Sequence, residues 1–556
     1  MVSPKALVFC VLFLFPDFGR AVQHGAVATV HPLATDAALV AMKRGGNAID
    51  AAVAAALTLG VVDGHNSGIG GGCFLLIRTA KGQVIALDGR EMAPSLASKE
   101  MYFRSGKLES KLSQTGALAI GVPGSVAAYE FAVKNFGKLS WKQLVLPAAE
   151  LAEHGFQIDS SYAGRLASVA GEMQRFPATS AIFLTAAGMA LKSEDTLKQP
   201  DLASSYRFLA NEGGNWFYNG KFAQLTAKWM KQNGGLITAT DFKKYQLRKR
   251  EPLRSRYRGF EIVGFPPPSS GGVHVAQILN ILEHFDLKAM GQNSPDFVHV
   301  ITEAMKLAFA DRAYWLGDPD FTPVPRGLVA TNYAAALFKQ ISMTRASQVP
   351  GHGAPPNSLS DCFSKHTTHF SVADAEGNWV ACTATVNTTF GSKVVVPGTG
   401  VILNNQMDDF SAQPGAPNFF GLVGAEANSI APGKRPLSSM SPTIVLKDGQ
   451  PILSLGAAGG PTIISQTLLA IVAVIDFGMD PHSALKQPRF HHQWLPDELI
   501  VEKSMPTATL EELRRRGHHV KLIDSLGACQ IIGAGLNGST FEAAHDPRLN
   551  GKAAGF

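Results

Sequence analysis

At 556 residues, 46% apolar and 17% charged, with a formal charge of +6, the chain has the composition of an ordinary globular protein. This excludes a disordered, fibrous or disulfide-dense polypeptide, and the length can bury a large core. Basic residues are scattered, with short clusters only at Arg248–Arg250 and Arg514–Arg516, which read as solvated helix ends rather than a nucleic-acid surface.

At the N-terminus, Lys5 precedes the apolar run Ala6–Phe15, and Gly19-Arg20-Ala21 follows as a small-x-small cleavage pattern. A bilayer span needs about 20 apolar residues. Residues 1–21 therefore read as a signal peptide, and export to the periplasm or medium without a membrane anchor is expected. The five cysteines, Cys10, Cys73, Cys362, Cys382 and Cys529, show no CxxC spacing. Cys73 and Cys382 lie in apolar strand-like runs and are expected as buried free thiols.

In chain order, Thr35-Asp36 is read as the cap of a helix that stops at Gly45-Gly46, and Asn47 with Asp50 restarts one through Ala51–Leu59. Cys73–Asp88 reads as a hairpin turning at Lys81-Gly82. A further helix opens at Ser294-Pro295-Asp296, with Phe297, Ile301, Met305, Ala308 and Phe309 at three-to-four spacing. Met343–His366 is rich in Pro, Gly and Ser and lacks an apolar period; a loop that long is usually functional or mobile. Two more hairpins follow, Phe370–Thr385 turning at Glu376-Gly377 and Ile444–Leu455 turning at Asp448-Gly449. Hairpins early and late with helices between predict an α+β fold, antiparallel sheets inside helical layers.

The long loop runs directly into Thr367-Thr368-His369, where a strand begins. A threonine hydroxyl becomes a nucleophile when a base takes its proton, and one such base is the residue's own α-amine, which exists only after a cut before that residue. A free α-amine has a pKa of about 8, suited to this work near neutral pH. On these grounds alone the reading is weak, because threonine begins many strands.

Several longer motifs occur in one order: Asn66-Ser-Gly-Ile-Gly-Gly-Gly, Asp88-Gly-Arg-Glu-Met-Ala-Pro, Pro268-Ser-Ser-Gly-Gly, Thr367-Thr-His-Phe-Ser-Val-Ala-Asp, Asn387-Thr-Thr-Phe-Gly, Asn404-Asn-Gln-Met-Asp-Asp-Phe, Arg435-Pro-Leu-Ser-Ser-Met-Ser-Pro-Thr and Gly459-Gly460. Together, from about Ala34 to the C-terminus, they resemble the γ-glutamyltransferase family. The resemblance implies an N-terminal-nucleophile αββα sandwich, cut between His366 and Thr367 into a large subunit (22–366) and a small one (367–556) that remain a heterodimer.

What the resemblance implies for the site can be checked against chemistry. Thr367 would be the nucleophile in both self-cleavage and turnover, with Thr385 hydrogen-bonded to it. Arg90 would take the donor's α-carboxylate, where a guanidinium makes paired charged hydrogen bonds, with Ser438 and Ser439 adding hydroxyl donors. Asp409 would face the α-ammonium, with Asn387 and Gln406 as neutral acceptors. Gly459 and Gly460 would offer backbone N–H groups to the oxyanion. The donor would be glutathione, glutamine or a related amide, and the acceptor water, an amino acid or a peptide; no metal or organic cofactor is implied. Pro414–Pro432 resembles the family's lid loop and carries Phe420 where a tyrosine is common, which favours acceptors with apolar groups.

Other patterns carry less. Gly533-Ala-Gly-Leu-Asn-Gly538 matches GxGxxG, but no helix is expected to open there, and Asn537-Gly538 reads as a hairpin turn. His366, His369 and His491-His492 lack zinc-site spacing, and no GxSxG elbow occurs. One rival is an acylase of the glutaryl or cephalosporin type, whose substrate has no α-ammonium. The other is a binding homologue that has lost the chemistry.

Overall fold

Alternation of side chains along the strands sets the layering. The structure, a computed structural model, describes residues 22–356, 369–535 and 540–556. One sheet has seven strands in the order Lys552–Gly555, Gly25–Thr29, His369–Asp374, Trp379–Thr385, Gly72–Arg78, Val84–Gly89 and Arg248–Arg250. The second has six: Phe541–Ala544, Ala528–Ala534, Gln450–Ala458, Thr443–Lys447, Phe260–Gly264 and Leu253–Tyr257. All neighbours within these two sheets run antiparallel. A small third sheet contains a parallel pair, Leu499–Glu502 with Val520–Ile523.

Because successive strand residues face opposite ways, each strand feeds two cores. Val27, Leu75, Ile77, Val372, Val380 and Cys382 pack outward against helices, while Ala26, Phe74, Leu76, Ala373 and Ala381 pack inward between the sheets. In the second sheet Val445, Leu455 and Ile531 face helices, and Ile444, Leu446 and Ile532 face the first sheet. The helices Pro32–Lys43 and Ala48–Val62 cover the first sheet, and Ser270–Leu282, Pro295–Trp315 and Thr462–Ile475 cover the second. The expected αββα order is what the described residues adopt.

The three expected hairpins form, with Asp448 (φ 50°) and Gly449 (φ 77°) both in the left-handed region, as a two-residue turn between twisted strands requires. Asn47 caps its helix, in a capping box with Asp50. The first helix differs from expectation: it starts at Pro32, three residues before Thr35, and His31 is the cap through Nδ1 to the Leu33 N–H. Thr35 instead faces inward, where its hydroxyl lies 2.9 Å from that of Thr29 and donates to the Lys552 carbonyl at 2.8 Å. Cys73, Cys382 and Cys529 are buried free thiols, as read for the first two. Residues 1–21, read above as a signal peptide, and Asn537-Gly538, read as a hairpin turn, lie outside the described residues; the strands Ala528–Ala534 and Phe541–Ala544 pair antiparallel.

Met343–Pro356 forms neither helix nor strand, and 357–366 lie outside the described residues. Side chains from two directions hold this stretch. Glu303 accepts from the Ser347 N–H at 2.9 Å and Asp311 from the Gly353 N–H at 2.7 Å, while Trp494 donates to the Val349 carbonyl at 2.8 Å.

Where the sheets meet, Phe74 stacks on Phe265 with ring centroids 4.4 Å apart, and both rings are fully buried. Phe74→Ala should lower the unfolding free energy by about 3–5 kcal/mol, the usual cost of deleting a core aromatic. Urea denaturation checks this; a loss below about 1 kcal/mol would show that the inter-sheet core closes without the ring pair.

Candidate active site

The strand Trp379–Thr385 runs out beside a cavity of about 420 Å³ lined by Thr385, Asn387, Phe420, Gly459 and Gly460. Two close approaches create this wall. A Cβ on Gly71 would stand 1.8 Å from the Thr385 carbonyl oxygen, so only glycine lets the segment before strand Gly72–Arg78 lie against the strand end. Gly460 (φ 60°) has the Phe420 ring so near that a Cβ would stand 2.7 Å from Cδ1. The diglycine links strand Gln450–Ala458 to helix Thr462–Ile475, whose first turn donates back to the Gly459 carbonyl through the Thr462 hydroxyl at 2.8 Å. After Thr385 the chain turns through Asn387 (φ 82°), whose N–H donates to Thr385 Oγ1 at 2.7 Å and whose side-chain amide donates to the Asn405 carbonyl at 3.0 Å.

Beyond Asn405 lies a buried charged cluster that does not line the cavity. Gln406 Nε2 donates to Asp409 Oδ2 at 2.8 Å, and Arg90 Nη2 reaches the same oxygen at 2.6 Å. Arg90 Nη1 donates to Glu91 at 3.1 Å, while Arg90 Nε and Gln406 Oε1 have no hydrogen-bond partner among the described residues. The two charged residues expected to meet opposite ends of a zwitterion are thus closed on each other, and the ion pair with Glu91 forms as well. Asn428, which sequence reading passed over, positions Asp409 by donating to its carbonyl at 2.7 Å.

Ser438 and Ser439 lie in a second buried group. The Ser438 carbonyl accepts from the Ser270 N–H at 2.8 Å, and Ser438 Oγ has no hydrogen-bond partner among the described residues. Arg312 completes the group, donating from Nε to Ser270 Oγ at 3.0 Å and from Nη2 to Ser439 Oγ at 3.4 Å. Burial pulls the Arg312 guanidinium down to about 10, against the attraction of Asp409. Sequence reading missed Arg312; the one signal was a cation within an otherwise inward-facing stretch of helix Pro295–Trp315.

His366 and Thr367 lie outside the described residues. His369 is 2.9 Å from Ser371 Oγ and 3.2 Å from Thr383 Oγ1, and burial pulls its imidazole down to about 3. His491 and His492 are likewise engaged, with Ser465 and Asp497.

Asp408 holds the segment expected to be a lid. It accepts from Ser113 Oγ at 2.6 Å and from the Phe419 N–H at 2.9 Å, and burial pushes its carboxyl up to about 6 despite those two bonds. A folded pKa above the unfolded value of about 3.9 means that the folded protein takes up this proton first. The group's cost to stability is therefore full above pH 6 and is relieved as pH falls through 6 towards 4. Asp408→Asn removes the titration, so wild type should gain on the variant by about 1–3 kcal/mol of unfolding free energy between pH 8 and pH 4.5. A difference that stays flat with pH would contradict this.

Comparison with known proteins gives a consistent picture. The profile of the family described as Gamma-glutamyltranspeptidase matches residues 34–556. A glutathione hydrolase proenzyme of Escherichia coli K12 is 44% identical over 536 residues, covering 96% of this chain and 92% of the relative. An acylase ACY 1 proenzyme from a Pseudomonas species (strain SE83) is 39% identical over 507 residues, covering 90% and 87%. Among solved structures, a cephalosporin acylase from Bacillus halodurans superposes with a TM-score of 0.88 at 28% identity, covering 100% of this chain and 99% of that one. The Helicobacter pylori γ-glutamyltranspeptidase gives 0.56 at 38% identity, covering 60% and 94%. With the profile matching from the first helix to the last residue, the chain belongs to the γ-glutamyltranspeptidase family.

Proposed function

We propose that this chain is an autoprocessing γ-glutamyltransferase and glutathione hydrolase, exported, and cut between His366 and Thr367 into two permanently associated subunits. The observation that carries the reading is the cavity at the end of strand Trp379–Thr385. There Thr385, Asn387 and the diglycine converge, and Asn387 is hydrogen-bonded to Asn405, which precedes Gln406 of the buried Arg90–Asp409 cluster.

In the cycle, the α-amine of Thr367 takes the proton of its own hydroxyl. The oxygen attacks the γ-carbonyl of the donor, and the N–H groups of Gly459 and Gly460 hold the oxyanion. The amine leaves with a proton, and water or a second amine opens the ester. Thr385 orients the nucleophile. The donor's α-carboxylate displaces Asp409 from Arg90 and takes the hydroxyls of Ser438 and Ser439, while Asp409, Gln406 and Asn387 receive the α-ammonium. Exchange of one carboxylate for another on Arg90 keeps a buried cation paired throughout, which matters because an unpaired one costs several kcal/mol.

The similarity to acylases favours a second reading, hydrolysis of glutaryl-type amides. The two readings part at the α-ammonium. Asp409→Asn should lower kcat/KM for γ-glutamyl-p-nitroanilide by at least about a hundredfold, since a site built for a polar group loses that much when the pairing fails. The glutaryl analogue should change far less. An equal loss on both donors would assign Asp409 to structure alone.

The processing claim is tested by intact mass and donor turnover on wild type and Thr367→Ala in parallel. Wild type should yield two fragments meeting at His366/Thr367 with activity, and the variant one inactive chain. A wild-type protein that stays whole would overturn the nucleophile assignment.

A further inference from the structure

The cavity beside Thr385 continues past the groups assigned above. Val30, Asp63, Asn66, Arg165 and Leu549 complete its wall and also line an adjoining hollow between the turn after helix Ala48–Val62 and helix Ser160–Met173. This turn is fixed to the strand end: the Val386 N–H donates to the Asn66 carbonyl and the Phe390 N–H to the His65 carbonyl, each at 2.9 Å. Asp63 therefore holds a constant position relative to Thr385 and Asn387.

Asp63 is 5% exposed, and only one of its oxygens is used. Oδ1 accepts from Asn66 Nδ2 at 2.8 Å and lies 3.2 Å from His65 Nε2, whereas Oδ2 has no hydrogen-bond partner among the described residues. A buried carboxylate oxygen without a donor costs about 1–3 kcal/mol, so such a group at a cavity wall is kept for something that enters the cavity. Burial pushes this carboxyl up to about 7, while the Asn66 bond and Arg165 pull it down and Asp159 adds to the rise. Arg165, half-buried, lines the same cavity and supplies the other sign of charge. Asp159 does not neutralise it by contact, being engaged as the helix cap with the Tyr162 N–H at 2.8 Å.

We propose that Arg165 and Asp63 form the acceptor subsite, the guanidinium taking the free carboxylate of an amino acid or short peptide and Asp63 taking a proton from its ammonium. The proposal rests on the γ-glutamyl reading above. The acceptor enters as R–NH₃⁺ and gives one proton to Asp63 Oδ2. The amine nitrogen forms a bond to the γ-carbonyl carbon of the Thr367 ester, the bond from that carbon to Thr367 Oγ breaks, and a second amine proton passes to that oxygen. An amide and a free threonine hydroxyl result, and Asp63 returns its proton to water. The amine released from a peptide donor leaves through the same subsite, carboxylate on Arg165.

The test measures hydrolysis of γ-glutamyl-p-nitroanilide and transfer to two acceptors, glycylglycine and glycinamide, which lacks the carboxylate. Arg165→Ala should raise the KM for glycylglycine at least about tenfold, the scale of one lost charge-assisted bond, while donor hydrolysis and the KM for glycinamide move less than about twofold on the same scale. Arg165→Lys should recover part of the glycylglycine KM. Asp63→Asn should lower the transfer rate to both acceptors more than it lowers hydrolysis at and above neutral pH, where the carboxylate is ionised, and the difference should shrink as pH falls through about 7. A glycylglycine KM unchanged in Arg165→Ala, or glycinamide losing as much as glycylglycine, overturns the subsite. Wild type that releases no p-nitroaniline removes the γ-glutamyl reading itself, an outcome distinct from intact hydrolysis with unaltered acceptor preference.

Discussion

A carboxylate with no access to water, Asp88, fixes the geometry around which the site is assembled. Its Oδ2 meets Arg250 Nε at 3.1 Å, its carbonyl accepts from Arg435 Nη1 at 2.8 Å, and Oδ1 takes both Arg435 and the Arg90 N–H. Burial pushes such a group up, but the guanidinium charges of Arg435 and Arg250 outweigh it and leave Asp88 below the usual carboxylate range. Removing one partner from a buried pair of this kind leaves an uncompensated charge, at a cost of about 3–5 kcal/mol. One side chain thereby places Arg90 on the strand side and the segment from Arg435 to Ser439 on the other.

From that anchor the charged groups fall into two linked halves. Arg90, Asp409 and Gln406 form one, and Arg312 with Ser270, Ser438 and Ser439 the other, with Asp409 acting on Arg312 through space. Among the described residues, Arg90 Nε, Gln406 Oε1, Ser438 Oγ and Asp63 Oδ2 are buried without a hydrogen-bond partner. Buried polar groups are ordinarily satisfied, so a polar molecule that reached these atoms would return free energy by pairing them. The apolar side is supplied by Phe420, seated on Gly460 and held by Gln493 at its carbonyl and Asn418 at its N–H.

How much of this was legible in the sequence follows from what each feature needs. The hairpins were readable because positive φ demands particular residues, as at Asp448-Gly449. The start of the first helix was not, because histidine is an unusual cap and Thr35 was recruited by a tertiary contact to Thr29 and Lys552. Motif order exposed the residues at the cavity, but not that Arg90 and Asp409 face each other at 2.6 Å, since residues 319 positions apart give no distance. Arg312 stayed hidden inside a helical pattern, and Asp63 with Arg165 escaped because a lone acid in a turn and a lone cation on a helix are commonplace until a cavity joins them.

The seven-stranded sheet interleaves segments from both sides of Thr367. Gly25–Thr29 lies between Lys552–Gly555 and His369–Asp374, and Trp379–Thr385 lies against Gly72–Arg78. A cut before Thr367 would therefore leave two polypeptides whose parting is the same event as loss of the fold, with no folded half to survive alone. What the cut changes is molecularity. Unfolding of the whole chain is a first-order matter, whereas the nicked protein returns from the unfolded state only when two chains meet, so its recovery depends on how dilute it is.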